Sequence, residues 1–416
     1  MKTFSKLPVA ALVLIFMLSG CVKDTIKTTY TYTYFEPVYK AYSEVVANIK
    51  SNASTPVAIP GKICLIGKYI LLNEVNKGIH VLDNSTPSAP KNIAFIDLPG
   101  NVDIAVKGNI LYADFYSDLV AIDISDPKNA KVKKIVKNIF PERYYSGYEA
   151  DSSKVITSWI KKTGTIDGSN PPIYCYFGAL QSSADASASF SNKAAATPVG
   201  INGSLSRFAL ASDYLYSVSY DSLRITDVAV ADNPLRKNAI PIGWGIETIY
   251  PFKDKLFMGA NAGMFIYGIS DPLHPVKLGN FQHVRTCDPV IADDNMAYVT
   301  LHGGTQCGGF TNQLDVLDIA DILSPRLLKT YPLTSPRGLS KDGNLLFICD
   351  GADGLKVFTA ADPNNIKLLK HFEMEEANDV IAWNNIALVM ATDGIYQFDY
   401  SNAAGIKLLS KISIQK

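Results

Sequence analysis

The chain is poor in the features that most often announce a chemistry. Its five histidines (His80, His274, His283, His302 and His371) are scattered, with no His-Glu-x-x-His and no other paired spacing. No Gly-x-Ser-x-Gly elbow, Walker loop or dinucleotide fingerprint stands in a strand-to-helix context, so nothing in the sequence marks a catalytic residue. Six cysteines are present, none in Cys-x2–4-Cys spacing, which argues against a zinc site. Basic and acidic residues number 39 each, with no run of Lys or Arg, so there is no electrostatic footprint for nucleic acid or an anionic surface. Beyond residue 18 there is no apolar run of transmembrane length.

What is present begins with a leader. Lys2 and Lys6 give a basic start, residues 9–18 form an apolar run of about ten, and Leu18-Ser-Gly-Cys21 follows. The run is too short to cross a bilayer and has the proportions of a secretory signal. Leu-Ser-Gly-Cys resembles the bacterial lipobox, and that resemblance implies a signal peptide over 1–20 and a mature chain that begins at an acylated Cys21. The alternative is an ordinary secretory signal followed by a chance cysteine. Residues 21–56 then read as a lipidated tether and a short helix. Thr28-Thr-Tyr-Thr-Tyr-Thr-Tyr34 alternates in a way that also suits an edge strand, and Val38, Tyr42, Val45, Val46 and Ile49 fall at near-helical spacing.

From residue 57 to 416 one segment recurs about every 40 residues. It appears as Gly78-Ile-His-Val-Leu-Asp83, Asp118-Leu-Val-Ala-Ile-Asp123, Ser222-Leu-Arg-Ile-Thr-Asp227, Gly263-Met-Phe-Ile-Tyr-Gly268, Gln313-Leu-Asp-Val-Leu-Asp318, Gly354-Leu-Lys-Val-Phe-Thr359 and Gly394-Ile-Tyr-Gln-Phe-Asp399. Short strands at this period define an all-β fold, a β-propeller of four-stranded blades in which no unit buries its faces without neighbours. The interval between the second and third copies is 104 residues, with room for a degenerate unit and a low-complexity insertion over 151–204. The expected count is therefore eight blades, or seven if that unit is lost. Glycine before the third strand is expected to supply positive φ to a tight hairpin. Asp126-Pro127, Asp271-Pro272 and Asp362-Pro363 are expected to close the turn that follows.

Asp118-Leu-Val-Ala-Ile-Asp-Ile-Ser-Asp-Pro127 and Gln313-Leu-Asp-Val-Leu-Asp-Ile-Ala-Asp321 resemble the LVIVD repeat, and residues 57–413 resemble bacterial LVIVD-repeat lipoproteins. That resemblance implies a propeller held at the outer membrane, facing the periplasm or the cell surface, and acting as a binding or scaffolding module. An envelope protein or a glycan is the expected partner, besides the membrane itself.

Aligning the units exposes carboxylates near the start of the first strand: Asp103, Glu149, Glu247, Asp288 and Asp379, with Ile63, Phe208 and Gly338 near the equivalent places elsewhere. First strands line a propeller's channel, so these acids are expected at its mouth, as a funnel for a cation, with Ca2+ suited to all-oxygen ligands, or for an amine. The reading favoured over the funnel is that they cap backbone N–H groups or pair with Arg207, Arg285 and Arg337 nearby. The rival function is a hydrolase acting on an envelope or extracellular glycan through two such acids, for instance Glu247 with Asp288. Cys287 and Cys307 flank a glycine-rich excursion, Leu301-His-Gly-Gly-Thr-Gln-Cys-Gly-Gly-Phe-Thr-Asn312, and are the expected disulfide; Cys64 and Cys349 sit in apolar strands as inert thiols. Asp350-Gly-Ala-Asp-Gly354 lacks the further acceptors of a calcium loop and reads as a plain turn.

Overall fold

The computed structural model describes residues 29–141, 153–167, 198–219, 221–283, 289–303 and 311–415. They fall into two units. One is a two-stranded ribbon, built from the parts of strands Thr29–Ala41 and Lys154–Asp167 that lie in residues 29–39 and 156–167. The other is the propeller.

Seven antiparallel blades of four strands each make up the propeller, blades 1 to 7 at 60–97, 104–136, 208–241, 246–282, 290–332, 339–372 and 377–413; the sheet of blade 1 is extended to six strands by Ile201–Asn202 on one edge and Ser51–Asn52 on the other. The lower of the two expected counts is therefore the one found. Within the long interval the described strand Lys154–Asp167 pairs with Thr29–Ala41 and not with any blade. Sequence gave that interval the length of a blade, but length does not say which strand a segment will pair with.

The recurring third strand owes its sequence to two local demands. Its last residue is an aspartate in blades 1, 2, 3, 5 and 7, and each carboxylate accepts a backbone N–H two residues on: Asp83 from Ser85 N, Asp123 from Ser125 N, Asp227 from Ala229 N, Asp318 from Ala320 N and Asp399 from Ser401 N. A second aspartate three residues later repeats the device, with Asp126 accepting from Lys128 N and Asp362 from Asn364 N. These turns satisfy donors that would otherwise be left unpaired as the chain leaves the sheet. The glycine at the strand's start has the expected positive φ at Gly78 (+157°), Gly263 (+152°) and Gly354 (+74°), but not at Gly394. A further cause holds in all four: a Cβ would run into the fourth strand, 2.2 Å from Phe372 O at Gly354 and 2.8 Å from Ile412 O at Gly394. Close approach of backbone to backbone is the shared reason.

Alternating strand faces feed apolar layers between neighbouring blades. One layer joins blades 1 and 2 (Leu71, Ile79, Val81 with Val106, Leu111, Val120) and another joins blades 7 and 1 (Ile381, Leu388, Ile395 with Ile63, Ile70, Leu72). The ring closes without strand exchange, since blade 1 and blade 7 each use one continuous stretch of chain. Side chains fasten that seam: Asn84 and buried Gln397 exchange hydrogen bonds of 2.9 and 2.8 Å, and Gln397 and Ser410 both donate to Pro87 O. Gln415 N donates to Val57 O.

A six-residue helix, Tyr42–Ala47, precedes blade 1. It is too short to hold itself and is kept by packing, with Val45 and Ile49 buried in the layer of blades 1 and 2. Tyr42 donates to Asp118 Oδ2 (2.7 Å), and Lys137 lies 3.3 Å over the tyrosine ring while it bonds the same oxygen at 3.0 Å.

The expected disulfide is corrected. Among the described residues there is none: Cys64 and Cys349 are buried free thiols. Burial pushes both thiols well above their ordinary pKa, which leaves them protonated and inert. Cys287 and Cys307 lie outside the described residues.

Candidate functional site

Strand register fixes which residues share a level in the channel. On the innermost strands Ile63, Ile104, Phe208, Ile249, Val290, Leu339 and Val380 pair with Leu72, Ala113, Ser217, Met258, Val299, Ile348 and Val389, at one height in the seven blades. The residue just before each is Lys62, Asp103, Arg207, Thr248, Pro289, Gly338 and Asp379. The level therefore holds two carboxylates and two cations. Asp103, Asp379 and Arg207 stand at this level. Glu247 is one residue early, in the bulge between Ile246 and Thr248, where strand alternation sends a side chain the other way. Arg337 is likewise one residue ahead of Gly338. Glu149, Arg285 and Asp288 lie outside the described residues. The offset was invisible in the sequence because a one-residue bulge recurs near the start of the first strand in blades 1, 4 and 7.

The channel itself is filled by the chain. Residues 198–206 climb through it before turning into blade 3. Val199 bridges Lys107, and Gly200 N donates to Val106 O at 2.7 Å, on blade 2. Ile201 and Asn202 then pair with Leu65 and Cys64 on blade 1. Gly203 lies against Asp379 on blade 7, and Ser204 Oγ accepts from Leu339 N on blade 6. Small residues are required here: a Cβ on Gly200 would come within 2.5 Å of Cys64 Sγ.

This inner segment accounts for the charged level. Asp103, fully buried, accepts from Ile104 N (2.8 Å), Ser206 Oγ (3.1 Å) and Arg207 N (2.7 Å). Lys62 Nζ donates to Leu205 O at 3.0 Å, and Asp379 accepts from Val380 N at 3.0 Å. Both described acids of the level thus accept backbone N–H groups. Among the described residues no group of three or more His, Cys, Asp or Glu side chains could hold a metal ion.

With the interior occupied, the surface available for recognition is the rim. Antiparallel order places the loops that enter each first strand and the loops between second and third strands at one end, the end that carries Glu247 and Arg337. Here Arg337 reaches Asn378 Oδ1 (2.6 Å) and Glu376 across the junction of blades 6 and 7. Lys356 binds Asp350 and Asp353, and His371 accompanies Asp353. His302 Nδ1 lies 3.3 Å from Ser335 Oγ at the base of the glycine-rich excursion, whose residues 304–310 are outside the described set. Trp244, between Gly243 (φ +115°) and Gly245 (φ +75°), is 74% exposed, more than any other large apolar side chain described.

Sequence reasoning missed the acids that shape this end. Asp114 accepts from Val102 N and Asp103 N, Asp350 from Thr334 N and Ser335 N, and Glu74 from Ala58 N. Each stands at or next to the end of a second strand and caps the loop entering the first. Their recurrence at second-strand ends was the available signal.

Strand order and blade number define a seven-bladed β-propeller. Residues 100–137, which make up blade 2, match the family model described as the LVIVD repeat. No curated protein matches. Solved structures similar to the chain include a protein from Lactobacillus plantarum (12% identity, TM-score 0.54, 86% of this chain and 97% of that one). The periplasmic gluconolactonase PpgL of Pseudomonas aeruginosa is similar at 12% identity and TM-score 0.51, over 85% and 96% of the two chains. The computationally designed Ika8 protein is similar at 11% and 0.51, over 88% and 91%. At these identities the likeness concerns the fold alone.

Proposed function

We propose that the protein is a binding or scaffolding module of the cell envelope, held to a membrane by acyl chains on Cys21, that recognises its partner with the loop end carrying Trp244 and Arg337. The observation that carries this reading is the filled channel. Residues 198–206 run along the innermost strands, and Asp103 and Asp379 accept backbone N–H groups there, which favours the rim as the surface for recognition. An exposed tryptophan on a glycine-flanked turn and an arginine presented by Asn378 and Glu376 are the side-chain types that dominate protein interfaces. They also suit a glycan, whose rings stack on an indole. An envelope protein or glycan is the partner class, and the outer membrane, at its periplasmic or outer face, is the proposed location.

Capture from detergent-solubilised envelopes tests this. A partner retained by the wild-type chain should be lost on Trp244→Ala with Arg337→Ala and kept on Lys253→Ala at the opposite end. Equal retention by all three would overturn the assignment of the face. The anchor is read separately, by the mass of the mature N-terminal peptide.

A further inference from the structure

Among the ribbon's described side chains only Ile156 is buried. A two-stranded ribbon is at best marginal in water, so this one needs an environment that covers it. Its side chains say what kind. Tyr34 and Phe35 are successive residues of one strand and therefore face opposite ways, yet they are 40% and 39% exposed; Tyr39 (43%) and Ile160 (50%) add to them. A protein partner, or a second copy of this chain, packing on one face would leave the other face's aromatics in water. Only a surrounding medium treats both alike. Tyrosine, with an apolar ring and a polar tip, is favoured where hydrocarbon meets headgroup. The ribbon's charges are balanced within it, since Lys162 pairs with Glu36, so attraction to anionic lipid is not the driving term.

Distance supplies the second constraint. Eight peptide steps separate Cys21 from Thr29, a reach of at most about 29 Å when fully extended. Acyl chains on Cys21 therefore hold the ribbon's first residue within that span of the bilayer.

We propose that the aromatic ribbon, residues 29–39 with 156–167, is an interfacial element that lies in the headgroup region of the membrane carrying the acyl chains. It rests on the acylation of Cys21 proposed above. Tyr34, Phe35 and Ile160 make the insertion, and the acyl chains supply the stable anchoring that a few aromatics alone do not.

The test uses the full acylated chain in phosphatidylcholine vesicles brominated near the headgroup end of the acyl chains. Trp244→Phe and Trp383→Phe leave Trp159, in the ribbon, as the remaining tryptophan of three. The expected result is at least twofold quenching of Trp159 emission that is insensitive to salt and is reversed by Tyr34→Ser, Phe35→Ser and Ile160→Ser together. An acylated chain with unquenched Trp159 overturns this proposal and leaves the anchor standing. A mature N-terminus without acyl chains overturns both. Concentration-dependent self-association abolished by the triple substitution, without quenching, would assign the ribbon to a second copy and overturn the interfacial role.

Discussion

Gly203 and Asp379 meet inside the propeller's channel, so closely that a Cβ on the glycine would lie 2.0 Å from Asp379 Oδ2. One belongs to the segment that fills the channel, the other to the innermost strand of the last blade. Their contact ties chain stretches some 175 residues apart.

Gly203→Ala should therefore destabilise the fold by about 1–3 kcal/mol, the usual cost of forcing atoms into a packed interior. In an Asp379→Ala background the same substitution should cost clearly less, because the clashing carboxylate is gone. Urea unfolding of the two single variants and the double variant gives the coupling, and strictly additive losses would show that the two residues do not bear on each other.

No strand crosses the seam between blades 1 and 7, which is held by side chains and by the backbone bond from Gln415 N to Val57 O. Gln397→Ala removes the exchange with Asn84 and the bond to Pro87 O, and is expected to cost about 1–3 kcal/mol with buried partners left unsatisfied. Amide hydrogen exchange should speed up first in the strands on either side of that seam. Uniform acceleration around all seven blades would refute a local clasp.

The turn aspartates make a pH prediction. The N–H and hydroxyl of Ser125, then Lys133, hold Asp123 down to about 2. A folded-state pKa below the unfolded value of about 3.9 contributes stability that is complete above that value and is lost as pH falls towards 2. The stability difference between wild type and Asp123→Asn should thus be largest above pH about 4 and vanish on acidification. A difference that persists unchanged at pH about 2 would contradict this.

His80 works in the opposite window. Its ring is wholly buried beside Phe95, and burial holds its pKa below the ordinary value although Glu74, 2.7 Å away, pulls the other way. The unfolded chain then binds the proton more readily, so stability should fall as pH drops through about 6.5. His80→Gln should flatten the pH dependence of the melting temperature between about 5 and 7. An unchanged slope would place its origin elsewhere.

Arg337→Ala bears on the loop end alone. Its bonds to Glu376 and Asn378 link two loops at a partly exposed site, where ion pairs contribute little, and the melting temperature should move by no more than a few degrees. Global unfolding in this variant would show that Arg337 supports the blades and is not free for recognition.

The sequence by itself determined what is local. A strand of six residues, its terminal aspartate and the turn that aspartate closes lie within about ten residues of one another, so five of the seven copies carry the whole instruction and the period of about 40 announces a propeller. The apolar run Leu119 to Ile122 and the turn in which Asp123 accepts from Ser125 N need no distant partner to be read. What only the tertiary structure decided is non-local. That residues 198–206 would fill the channel follows from their fit against Asp379, Cys64 and Leu339, which are far away in the chain. The charged level illustrates the same limit: Lys62 joined it and Glu247 left it because a one-residue bulge in the first strands of blades 1 and 4 changes the register without changing the pattern of residue types. Register is set by pairing across strands, and a lone strand's sequence does not record the number of residues its partner will skip.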